Sequence, residues 1–228
     1  AAARSSSDPG EKLGAWDLAL DAFAALFWSG GAKAGATLVA LGDDLGPGEG
    51  HLETARGFAA FYAGDFAAAV APLREATSKG RAVAAHYLGA ALERTADIFA
   101  ADKELTRASK LDPERFVRPV RLPESDFDEC VEKALAELPD EIRDAIADCV
   151  VTREDFPSVD DVRKGTDPLL LGLFRGRTVS EERQNLEAPS EVVLYRRNLE
   201  KIADSRRHLK DEIRVTLLHE VGHALGFD

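Results

Sequence analysis

The chain has 228 residues, enough for one large or two ordinary domains, with 45% apolar and 31% charged side chains. Its 41 acidic and 29 basic residues give a formal net charge of −12, which argues against nucleic acid or an anionic membrane as a partner. No apolar run approaches the ~18 residues of a spanning helix, and abundant alanine with 7% aromatics favours packed helices over a sandwich or barrel.

Residues 1–12, AAARSSSDPGEK, read as a flexible lead-in of small, polar and turn-forming residues. The chain contains no methionine, even at position 1, as expected of a processed or excised piece, and an earlier targeting segment stays open. Residues 13–41 carry Trp16, Leu20, Phe23, Phe27 and Leu38, the pattern of a degenerate helical pair. Residues 51–112 are self-similar at an offset of 32: Gly57 maps to Gly89, Asp65 to Asp97, Ala69 to Ala101, Leu73 to Leu105 and Ala76 to Ala108. Small residues recur where two helices would cross closely, and large ones where they would fill the groove. Gly64-Asp65, Lys79-Gly80 and Asp112-Pro113 punctuate the pairs.

This spacing resembles the tetratricopeptide repeat at Ala85, Leu88, Gly89, Leu92, Ala101, Leu105, Ala108 and Pro113, and again at Gly57, Gly64, Asp65, Phe66, Ala69, Leu73 and Ala76. Arg56 departs from the pattern, where a leucine is usual. The resemblance implies an all-α domain over 13–113 with a concave face for a peptide or protein partner. Plain support of a second domain is the alternative.

After Pro113 the composition changes, and residues 114–124 read as a proline-spaced linker that favours extended backbone. Asp126 is the expected cap of a helix carrying Phe127, Val131, Ala134, Leu135 and Leu138. Pro139 opens a shorter helix, and Cys149-Val150-Val151 reads as the start of a strand. The acidic, proline-broken stretch 155–161 reads as a surface loop. Leu169 to Phe174 and Glu191 to Tyr195, each after a proline, read as strands. The polar stretch 175–188 between them reads as a loop or a crossing strand. The last element, starting near Leu199 or Ser205 and ending at Leu225, reads as one or two helices with Leu209, Ile213, Leu217 and Val221 as the apolar stripe. Cys130 and Cys149 can either bridge or stay as small buried hydrophobes.

The closing helix carries His219-Glu220-Val221-Gly222-His223. Residues four apart on a helix point the same way, so His219 and His223 can aim two imidazoles at one ion. Zn2+ is the expected cofactor, with Glu220 as the general base toward water and a peptide bond as the usual substrate. Burial of all three side chains against the domain body is expected, where unpaired polar groups are costly. Gly226 suits a helix-ending position with positive φ.

Residues 125–228 resemble a compact bacterial family of zincin-like metallopeptidases. The resemblance rests on Leu138-Pro139, Leu170 to Phe174 with Gly176, Val193 to Arg196, and His219 to Gly226. It implies a small α+β zincin-like core, zinc held by His219 and His223, and Glu220 as base. The third ligand of such sites follows the first histidine by ten positions, which here is position 229. Asp228 after a turn at Gly226, or a residue supplied by further sequence, are the two candidates. His208 lies too far along the helix to share the ion, Glu212 is distant from it, and His51 and His86 read as surface or packing residues. Tyr195 reads as core, with a role in holding an oxyanion as the alternative.

The expected architecture is therefore multidomain, an all-α tetratricopeptide-like repeat domain followed by a small α+β zincin-like domain. The leading function is a zinc metallopeptidase whose repeats bind a partner or substrate. A non-enzymatic interaction protein with a degenerate or incomplete zincin-like half stays open. Compartment is left open, with the cytoplasm preferred.

Overall fold

The computed structural model describes residues 35–40, 43, 50–176 and 190–227. The lead-in, most of the pair expected over 13–41, most of the stretch 175–188, and Asp228 lie outside these residues. The chain divides into two compact units. One comprises residues up to Arg118 together with Ser158–Pro168, and the other Pro119–Pro157 with Leu169 onward. Among the described residues no helix is long and apolar enough to cross a membrane.

The first unit is helical: α1 (His51–Tyr62), α2 (Phe66–Ser78), α3 (Ala82–Arg94) and α4 (Ile98–Leu111). The sequence offset reappears as duplicated contacts. A Cβ on Gly57 would stand 2.3 Å from Leu73 Cγ, and a Cβ on Gly89 would stand 2.5 Å from Leu105 Cγ. Each glycine thus admits one leucine from the next helix, and both leucines are buried. Asp65 and Asp97 cap α2 and α4, accepting from the amides of Ala68 at 3.2 Å and Ala100 at 3.1 Å. The residue before each cap is left-handed: Gly64 has φ 76° and Ala96 has φ 63°. The second turn therefore holds an alanine in a conformation that costs an L-residue ~1–2 kcal/mol.

The segment expected as a surface loop over 155–161 is partly helical. Ser158 Oγ accepts from the Asp161 amide at 3.1 Å and caps the short α7 (Val159–Arg163). Val162 is buried against the Gly64 turn, and Arg94 Nη2 donates to the Pro168 carbonyl at 2.8 Å while lying over the Phe66 ring. One apolar residue and one arginine thus fix this stretch within the first unit.

The second unit contains α5 (Glu124–Ala136), α6 (Asp140–Ala145), β1 (Val150–Glu154), β2 (Gly172–Arg175), β3 (Glu191–Tyr195), α8 (Arg196–Ile202) and α9 (Arg206–Leu225). Pro123, not Asp126, holds the cap position of α5, and Asp126 falls in its first turn. The β2 strand begins at Gly172, later than the apolar run that suggested it. The sheet order is β1-β3-β2, with β1 parallel and β2 antiparallel to β3. Central β3 is almost wholly buried. Its Val192 and Leu194 join Phe127, Val131, Leu209, Ile213, Leu217 and Val221 in one core. The stripe read from the sequence therefore seats α9 on the sheet. No disulfide joins Cys130 and Cys149, both half-buried.

The buried charges of Glu200 and Arg196 on α8 are paired. Glu200, fully buried, accepts from the Leu122 amide at 3.1 Å, Arg121 Nη1 at 2.9 Å and Arg197 Nη1 at 3.0 Å. With the Val120 amide donating to the Glu200 carbonyl at 3.0 Å, this residue anchors the proline-spaced connector. Arg196 donates to Asp155 Oδ1 at 2.8 Å and to Glu124 Oε1 at 3.2 Å.

Candidate metal centre

The site grows from one helix, its cap and one strand. Ser205 Oγ accepts from the His208 amide at 3.1 Å and starts α9. The helix ends at Gly226, whose φ of 88° lets the chain reverse. The Gly226 amide donates to the His223 carbonyl at 3.0 Å, and the Phe227 amide to the Gly222 carbonyl at 2.9 Å. This pair of bonds is the Schellman arrangement, which satisfies two carbonyls that the helix would otherwise leave open.

That reversal places the Phe227 carbonyl 3.1 Å from His223 Nδ1. A carbonyl only accepts, so Nδ1 carries the proton and the lone pair of the neutral ring lies on Nε2. His223 Nε2 stands 3.1 Å from His219 Nε2, with the rings nearly perpendicular at 82°. Two nitrogens bound to a tetrahedral zinc, each at about 2.05 Å, are separated by roughly 3.3 Å. The pair therefore presents one edge of such a site with little adjustment. A backbone carbonyl on the distal nitrogen is a common way of orienting a ligating imidazole.

Glu220 faces elsewhere. It is 6% exposed, and its Oε2 accepts from the Phe174 amide of β2 at 2.8 Å. His219 is exposed and His223 only half-buried, so the expected burial of all three side chains holds for Glu220 alone. Antiparallel pairing with β3 explains why the Phe174 amide is available. The Tyr195 amide donates to the Leu171 carbonyl at 2.8 Å, so Leu171, Leu173 and Arg175 turn their backbone groups toward β3. Phe174 is out of phase and points its amide away from β3.

Two residues that the sequence reading did not assign define this edge. Gly172 lets α9 come close: a Cβ there would lie 2.7 Å from Thr216 Cγ2, 2.9 Å from Glu220 Cγ and 3.2 Å from Glu220 Oε1. Asn198, 1% exposed, donates from Nδ2 to the Leu170 carbonyl at 2.7 Å and ties the approach to β2 onto α8. A glycine inside a strand pattern is itself a signal of close backbone approach. No comparable signal marks Asn198.

The remaining candidates do not join the pair. Asp228 lies outside the described residues. Among the described residues no group of three or more His, Cys, Asp or Glu side chains is placed to hold a metal ion. His208 bonds instead to Asp204 Oδ1 at 3.1 Å and Glu212 Oε1 at 3.2 Å. These bonds, the one to Asp204 foremost, hold its pKa above the ordinary imidazole value, although some desolvation opposes them. Asp204 is held below its usual value, by the Ser205 bond first and the His208 bond second. His51 is buried and His86 stacks on Phe116 at 4.7 Å, both in the first unit. Tyr195 is fully buried and its hydroxyl accepts from Arg175 Nη2 at 3.0 Å. The Cys130 thiol is pushed up by burial and stands apart from the histidines in the α5–α9 groove.

Residues 146–228 match the family model of the zincin-like metallopeptidases. No curated protein matches the chain. The matched stretch runs from Ile146 through the three described strands and the histidine pair. It supports a metallopeptidase, a type of hydrolase, at the level of family, and such families are typically zinc-dependent.

Proposed function

We propose that the chain is a zinc-dependent metallopeptidase. In this reading a zincin-like domain over 125–228 carries the chemistry, and tetratricopeptide-like repeats over 13–113 bind a peptide or protein partner. The observation that carries the reading is the convergence of His219 Nε2 and His223 Nε2 to 3.1 Å on the helix that also carries Glu220, whose carboxylate the Phe174 amide holds.

His219 and His223 would hold the ion, and Asp228 is proposed as a further ligand. Zinc bound there would supply a Lewis acid that polarises a carbonyl and acidifies water. The Phe227 carbonyl keeps the His223 ring turned with Nε2 outward. Because its Oε2 already accepts from Phe174, Glu220 offers Oε1 to take a proton from the attacking water and pass it to the leaving amine. The carboxylate need not reorganise at that moment, since the strand amide and the packed helix fix it beforehand. For the repeats, the duplicated Gly57–Leu73 and Gly89–Leu105 contacts support a stacked array with a surface for an extended partner.

The test pairs metal content with cleavage of fluorescein-labelled casein by the full chain. Glu220→Gln is expected to retain zinc and to lose cleavage, because it removes the base and leaves both imidazoles. Retained cleavage in Glu220→Gln would overturn the assignment. A second reading, a protein-interaction chain with a non-catalytic zincin-like half, draws on the lack of a three-residue ligand group among the described residues. Failure of the wild-type chain to retain zinc would favour it.

A further inference from the structure

We infer that Gly172 is a positioning residue for Glu220, acting through the edge of β2. The inference rests on the reading of Glu220 as base, but its geometry stands on separate observations. The first is steric. Gly172 has no side chain where α9 crosses β2, and a Cβ there would meet both Thr216 and Glu220. Thr216 is short, β-branched and buried, so it has little room to yield. Glu220 is longer, and its carboxylate would swing away.

The second observation is directional. Phe174, two residues on, is in phase with Gly172 and out of phase with the residues whose backbone groups bond to β3. Its amide bonds to Glu220 Oε2 at 2.8 Å. The spacing of two along the strand thus puts a gap and a donor on the same edge, the gap at the Glu220 stem and the donor at its carboxylate. A third contact keeps this edge in register: buried Asn198 holds the Leu170 carbonyl at 2.7 Å, immediately before the strand. Without the gap, the carboxylate cannot reach the donor. Without the donor, a buried carboxylate has one oxygen less satisfied and no fixed direction.

The gap and the donor separate metal binding from proton transfer. The histidines belong to another face of α9, so filling the gap at Gly172 leaves them untouched. Gly172→Ala is expected to displace Glu220 while zinc is retained. Because that variant also presses on Thr216, Gly172→Ala/Thr216→Ser removes the methyl met at 2.7 Å and leaves the approach to Glu220 Cγ at 2.9 Å. Thr216→Ser alone serves as the packing control.

The experiment is amide hydrogen exchange by NMR on the full-length protein, which requires no activity, followed by casein cleavage with zinc loaded. The Phe174 amide points away from β3, so its protection depends on Glu220. Glu220→Ala and the double variant are both expected to speed its exchange by about tenfold or more, with the Leu173 amide unchanged. Cleavage by the double variant is expected to fall about 100-fold with zinc content unchanged, the scale of a misplaced catalytic group. Unchanged Phe174 exchange in Glu220→Ala or in the double variant overturns the inference, whatever the activity. Full recovery of cleavage by the Thr216→Ser change also overturns it, because the defect would then be packing alone. A wild-type chain that cleaves nothing overturns the peptidase reading only, and the exchange rates then decide the position of Glu220.

Discussion

Replacing Gly226 by alanine tests how far the end of α9 determines the histidine pair. The residue sits at φ 88°, and the left-handed region costs an L-residue with a Cβ about 1–2 kcal/mol. The chain has two responses. It can keep the turn and bear that strain, or let the final turn open and lose the bonds from the Gly226 and Phe227 amides. Opening also withdraws the Phe227 carbonyl from His223 Nδ1, now 3.1 Å away, and frees the ring to rotate. If the turn opens without metal and must re-form to bind it, the strain appears in zinc affinity. One to two kcal/mol corresponds to roughly 5- to 30-fold weaker binding. The assay is competition for Zn2+ with a chromophoric chelator at fixed pH. Gly226→Asn should lose less than Gly226→Ala, because asparagine enters the left-handed region more readily. Zinc affinity in Gly226→Ala within about twofold of wild type, well under the ten-fold equivalent of 1.4 kcal/mol, would refute the link between cap and ligand.

Two further outcomes follow from local geometry. Gly57→Ala forces a Cβ to 2.3 Å from Leu73 Cγ and should destabilise the first unit by about 1–3 kcal/mol of overpacking, less ~1 kcal/mol regained from helix propensity. Gly222→Ala, where an added Cβ would meet nothing within 4 Å beyond its own helix backbone, should instead stabilise by up to ~1 kcal/mol; chemical denaturation of each variant distinguishes them. His208 has a raised pKa between Asp204 and Glu212, so its contribution is full below the unfolded value of 6.5 and is lost as pH rises through the folded one. Asp204, lowered from 3.8, contributes above that value and loses its contribution as pH falls through the depressed one. His208→Gln should therefore speed amide exchange in the first turns of α9 at pH 5.5 more than at pH 8.5. An equal effect at both would remove the protonated imidazole from the explanation.

The helical half was legible where one residue type has one use. Small residues at 57 and 89 with leucines at 73 and 105 encode a helix crossing by volume, and that crossing is present. The left-handed turn at Ala96 was not legible, because only the parallel with Gly64 reveals it. The order of burial around the metal motif was available from helix arithmetic. At 100° per residue, Glu220 lies about 40° from the centre of the Leu209–Val221 stripe, His223 about 100° and His219 about 140°. The structure follows that order: buried, half-buried and exposed. The α7 helix was not legible because five residues are too few for a periodic pattern, and its cap at Ser158 shows only in the structure. Gly172 escaped because its use depends on Thr216 and Glu220, far along the chain, which strand propensity does not register.

The Ser158–Pro168 segment gives the chain a topology that a linear division into domains conceals. β1 and β2 belong to one unit, while the stretch joining them belongs to the other. The boundary is therefore crossed three times, and a single break near Arg118 parts Ser158–Pro168 from the helices of its own unit. A fragment starting at Pro119 would carry Val162 without its seat at Gly64, and the helices of the first unit would lack the residue that fills that seat. For the sheet, the stretch joining β1 to β2 is a loop whose contacts, Val162 at Gly64 and Pro168 with Arg94, belong to the helical unit. The functional boundary at the motif and the mechanical boundary of the protein are thus different lines.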